Sequence, residues 1–244
     1  MSEQTAVPTE GGPGENLPAQ RVRAEAPPGF LDRLLATPEW RSTPGKVGFV
    51  WCLFNLVLFA GLFFAGDHGA VGPLIEIGLW IPISLVVAQL LTRPLGSATY
   101  LAAALVLSLL EEAIAYSTGG GLHGAATSLP QDWVRSVPTF VGLAAGILLA
   151  DRWLGLRPSE SFVTAAAVGV VIELGLGTGF NPIALVALTG AVAWVYGTIT
   201  ALPSPRATTP KAGWVRASVA ILLVTTGTLV GGLVGLELQA LLHL

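Results

Sequence analysis

The hydrophobic pattern of this 244-residue chain is a series of long apolar runs separated by short polar or Gly/Pro-rich breaks. The runs fall at residues 47–66, 74–92, 95–117, 139–154, 161–178, 183–202 and 217–242. At a rise of ~1.5 Å per residue, about 20 apolar residues cross a ~30 Å hydrocarbon core. Backbone polar groups have no water there, so helices are the expected form. The pattern predicts an all-α integral membrane protein, a bundle of about seven transmembrane helices occupying residues 47–244.

The breaks carry their own signals. Asp67-His68 closes the first span, and Pro82 predicts a kink in the second. Residues 118–138 read as a loop too polar for lipid, and Asp151-Arg152 ends the fourth span. The run Gly177-Thr178-Gly179-Phe180-Asn181-Pro182 predicts a tight hairpin between the fifth and sixth spans. The segment PSPRATTPKAGWVR then forms a polar connector to the seventh.

Ahead of the spans, residues 1–28 are rich in Pro, Gly, Glu and Ala with almost no large apolar side chains. Such a segment buries too little surface to fold alone, and a disordered cytoplasmic tail is expected. Across residues 29–46, Phe30, Leu31, Leu34 and Leu35 share one helical face while Asp32 and Arg33 take the other. That arrangement predicts an interfacial amphipathic segment held down by Trp40 and Arg41.

Composition agrees with the pattern: 52% of residues are hydrophobic and 11% charged, against about 25% charged in ordinary soluble domains. The net charge of −3 and the lack of a basic patch with interleaved aromatics exclude nucleic acid as a partner. The lipid bilayer is the expected partner, in a cell membrane. A single cysteine, Cys52, rules out an intramolecular disulfide and reads as a packing residue.

Charge placement gives an orientation. With the N-terminus in the cytoplasm, every lysine and arginine falls on the cytoplasmic side except Arg135, and the C-terminus lies outside. The same assignment puts Asp67, Glu76, Glu111, Glu112, Asp132, Glu173 and Glu237 in the outer half with His68, His123 and His243. Asp67, Asp132, His68 and His243 are expected to be solvated loop or terminal residues.

Candidate chemistry lies on the third and fifth spans. Glu111 and Glu173 sit at similar depth, each about five residues outward of its span's centre, or ~7 Å at helical rise. A carboxylate at a span's centre costs ~2.5 to 3.5 kcal/mol, so each should face protein or water. Ala165, Ala166, Gly169 and Glu173 form one small-residue stripe that should pack closely on another helix. Ser108, Tyr116 and one of Glu111 and Glu112 fall on a comparable polar stripe; the two adjacent glutamates point about 100° apart, so both are not expected to face the same partner equally.

Three function classes follow. In the leading one, Glu111, Glu112 and Glu173, with Tyr116 and Asn181 nearby, line an outward-facing cavity for a small cation or proton-coupled solute. In the second, the same glutamates and His123 hold a divalent metal as cofactor for an intramembrane hydrolase. The third is a structural or assembly subunit recruited through the tail and the glycine-lined helices. Glu111-Glu112 resembles the first two residues of the EExxxR motif of CAAX-processing intramembrane proteases. Tyr116 replaces the arginine, and the spans after His123 carry no histidine at membrane depth.

Two further patterns stand out. Arg93-Pro94, Ala102-Ala103-Ala104, Glu111 and Thr118-Gly119 recur in order as Arg157-Pro158, Ala165-Ala166-Ala167, Glu173 and Thr178-Gly179. A parallel internal repeat would place a site between its copies. Gly142, Gly146 and Ala150, and again Gly227, Gly231 and Gly235, form small-residue ridges suited to close helix approach, the second a candidate homo-oligomer surface.

Overall fold

The computed structural model describes residues 29–91, 93–118, 128–177, 179, 181–202 and 214–242. Two short helices, α1 (Phe30–Leu34) and α2 (Pro38–Arg41), precede α3 (Thr43–Phe64), α4 (Val71–Leu90), α5 (Ser97–Thr118) and α6 (Leu129–Leu154). Then come α7 (Pro158–Val170), which continues as a π-helical segment Val171–Gly177, α8 (Pro182–Thr200) and α9 (Trp214–Leu241). Seven of these helices are long and apolar enough to cross a membrane, and no strand occurs among the described residues. The molecule is a multi-pass helical bundle. The expected tail at residues 1–28 lies outside the described residues, as does most of the polar connector before α9.

Local chemistry explains where the spans begin. Pro44, Pro130, Pro158 and Pro182 stand in the first turns of α3, α6, α7 and α8, where a missing N–H costs nothing. Ser42, Ser128 and Asn181 cap three of these helices by accepting from Gly45 N, Gln131 N, and both Ile183 N and Ala184 N. Glu160 caps α7 by accepting from the Arg157 N–H at 2.7 Å. Helix α6 stops at Gly155, whose φ of 61° suits a residue without a Cβ. Pro82 sits inside α4, which remains one helix through it.

Three sequence expectations need correction. First, α6 begins at Leu129, so the fourth span absorbs much of the segment read as polar loop. The Ser128 cap and Pro130 start the helix early, and Asp132 in its first turn is buried rather than solvated. The Trp133 indole donates to the Leu109 carbonyl of α5 at 3.1 Å and fixes this added length.

Second, Trp40 in the segment 29–46 is packed into the bundle and does not stand at its surface as an anchor. Leu35 and Trp40 are completely buried, and the Trp40 ring meets that of Trp194 in α8 at 5.3 Å. The Arg41 guanidinium turns back to donate to the Leu35 carbonyl at 2.7 Å. Close entry is possible because Gly45 lies against the Glu39 and Trp40 carbonyls, where a Cβ would collide with the backbone.

Third, the ridge of Gly227, Gly231 and Gly235 is not an oligomer surface. A Cβ on Gly227 would overlap Gly142 of α6, one on Gly231 would overlap the Pro138 carbonyl, and one on Gly235 would press on that of Arg135. The two predicted ridges pack on each other, making α6 and α9 the most extensive helix pair of the bundle.

Candidate functional site

The acids gather at the end of the bundle where α5 and α7 finish and α4 and α6 begin. Glu76 comes from the second turn of α4, Glu111 and Glu112 from the last turns of α5, and Glu173 from the π-helical segment. All four line one cavity of about 130 Å³ with Phe140, Tyr196 and apolar residues of α8. None of its described lining residues is lysine or arginine.

Glu111, Glu112 and Glu173 are buried, and Glu76 is half-buried. Glu111 interacts electrostatically with Glu76, Glu173 and Asp132, while the Glu112 side chain lies in hydrogen-bond contact with Asp132. Although the two point about 100° apart on α5, they are not directed to separate surroundings. Both reach the same space, because a cavity bounded by several helices subtends the arc between two adjacent positions on α5.

Glu173 is held by its neighbours. The Tyr196 hydroxyl donates to Glu173 Oε1 at 2.5 Å, and the Tyr196 ring stacks with Phe140 at 4.7 Å. The small-residue stripe on α7 makes this possible: Ala165 is fully buried, and a Cβ on Gly169 would overlap the Tyr196 ring. Immediately afterwards the helix widens into its π-helical turn, a rare winding that recurs at functional sites.

Other sequence candidates separate from the cavity. Tyr116 is 38% exposed and absent from the lining. Asn181 is exposed and spends its side-chain oxygen on capping α8. Ser108 donates back to Ala104 O of its own helix at 2.7 Å, so the polar stripe on α5 is no network. His123, the histidine offered as a metal ligand, lies outside the described residues. Among the described residues no three His, Cys, Asp or Glu side chains are grouped closely enough to hold a metal ion. Cys52 is buried as a free thiol within α3.

No family model, curated protein or solved structure matches this chain. The site rests on its own geometry. Glu76, Asp132 and Tyr196 are not among the site residues expected from sequence. Glu76 had a usable signal, an ionisable residue inside a span. Asp132 was hidden by the late start assigned to α6, and Tyr196 by the absence of any charged residue in its own helix.

Proposed function

We propose that the protein is a membrane transporter whose acidic cavity binds a proton or a small monovalent cation and faces the outside. The supporting observation is that Glu76, Glu111, Glu112 and Glu173, drawn from three separate spans, line one space without a basic partner in its described lining. Like-signed carboxylates in a poorly hydrated space repel one another, and uptake of protons or a small cation relieves that repulsion.

Size narrows the cargo. A cavity of about 130 Å³ holds about four waters at ~30 Å³ each. Pockets for drug-sized solutes run to about 300–1,000 Å³. A proton carried on water, or a monovalent ion held through its own water, fits where a larger solute does not. The outward direction follows from the lysine and arginine excess at the opposite end of the spans.

The test uses protein reconstituted in vesicles with a trapped pH dye and imposed proton or sodium gradients. Wild type is expected to dissipate at least one gradient, and Glu111→Gln with Glu173→Gln to return the rate to that of empty vesicles. Equal rates for wild type, double variant and empty vesicles under both gradients would sink the proposal.

A further inference from the structure

A second cavity of about 420 Å³ opens between α6, the π-helical segment and α9. It differs from the acidic one in chemistry. Arg135 and Glu173 both line it, so it presents one charge of each sign. Among the described residues Arg135 makes no ion pair. Ser136, also in the lining, is buried with a hydroxyl that finds no hydrogen-bond partner among the described residues. A buried hydroxyl left unbonded costs free energy, which a ligand oxygen or amine would recover.

Apart from Thr139, Tyr196 and Thr228, the remaining wall is apolar and merges with the outer face of the bundle. Leu229, Leu233 and Leu236 line the cavity, yet they are 56%, 63% and 57% exposed on α9. In a helix that crosses a membrane, such a face meets lipid chains. Gly232 keeps the opening wide, since a Cβ there would meet only the Thr139 hydroxyl, at 3.6 Å.

We propose that this cavity binds one lipid with a zwitterionic amine headgroup, entering sideways from the bilayer. Its phosphate pairs with Arg135, its ammonium faces Glu173, and an acyl chain lies along the leucines of α9. An anionic lipid would satisfy Arg135 and meet Glu173 with like charge; a neutral lipid would leave Arg135 unanswered. Phe140, Glu173 and Tyr196 also line the acidic cavity, so the bound ammonium sits one wall away from the transport site.

The experiment measures the motionally restricted fraction of chain-spin-labelled lipids in vesicles containing the full chain. Phosphatidylethanolamine, phosphatidylglycerol and diacylglycerol are compared, with unlabelled glycerophosphoethanolamine as competitor. Binding is expected to favour phosphatidylethanolamine and to resist the free headgroup. Arg135→Gln should weaken it about tenfold, the loss expected for one charge-assisted hydrogen bond. Gly232→Trp, which fills the cavity away from the α6–α9 packing ridge, should abolish the preference.

Equal restriction of the three lipids overturns the proposal, as does retained preference in Gly232→Trp. Effective competition by the free headgroup also overturns it, because the leucine wall would then contribute nothing. The readout needs no transport, so this result stands or falls separately from the vesicle-gradient experiment.

Discussion

The two ends of the bundle solve opposite problems with similar helices. At one end, four glutamates surround a cavity of about 130 Å³ with no basic side chain in its described lining. At the other, Leu35, Trp40, Tyr100, Thr200 and Leu202 are buried together with the aromatic group of Trp194, Phe49 and Phe162. The Trp194 indole donates to Ser84 Oγ at 3.2 Å, the Trp80 indole to Thr198 Oγ1 at 3.0 Å, and the Tyr100 hydroxyl to the Thr200 carbonyl. These three donors at the sealed end each meet one acceptor. At the acidic end, carboxyls face carboxyls, an arrangement that costs stability and retains chemical capacity.

The largest effect should come from opening the sealed end. Trp40→Ala removes a fully buried indole whose ring contacts Trp194. Truncation of such a side chain costs about 3–5 kcal/mol. Unfolding in mixed micelles should show that loss. A cost below about 1 kcal/mol would mean that α2 does not hold the end closed.

A smaller effect of the opposite sign tests the acidic end. Glu112→Gln keeps side-chain volume and hydrogen-bonding capacity toward Asp132 while removing one of the mutually repelling acids. Removing one carboxylate from a group of like-signed neighbours relieves their repulsion, here by about 1 kcal/mol. The same micelle unfolding measures it. Substantial destabilisation would show Glu112 to be a structural keystone and would erase the contrast between the ends.

That contrast also explains what the sequence made legible. The seven spans were readable because lipid imposes length and apolarity on every one of them, whatever its neighbours. Glu111, Glu112 and Glu173 were readable for the same reason, as costly exceptions inside such runs. Trp40 was misplaced because an aromatic beside an arginine next to a span looks the same in sequence whether it anchors at an interface or inserts between helices. The glycines of α9 were correctly read as a packing ridge, but the identity of the packed helix depends on tertiary geometry. Their partner is α6 of the same chain. Asn181 and Tyr116 do not line the acidic cavity, because depth along a helix is visible in sequence, whereas facing depends on how the neighbours pack.

The smallest effect concerns how α1 is tethered to the sealed end. Lys46 Nζ lies 2.7 Å from Asp32 Oδ1, with both side chains about a third exposed. The hydrogen bond from Lys46 is the main reason the Asp32 carboxyl titrates below its usual value, with the Lys46 and Arg41 charges and the Gly29 N–H adding to it. A carboxyl whose folded value is lowered adds stability above its ordinary pKa of ~3.9 and loses it as pH falls through the lowered value. Lys46→Gln should therefore move the Asp32 carboxyl titration upward, readable from its carbon-13 shift. Stability above about pH 5 should barely change, because solvent and salt screen an exposed pair. If Lys46→Gln instead destabilised the protein as much as Trp40→Ala, charge rather than ring packing would be what closes this end.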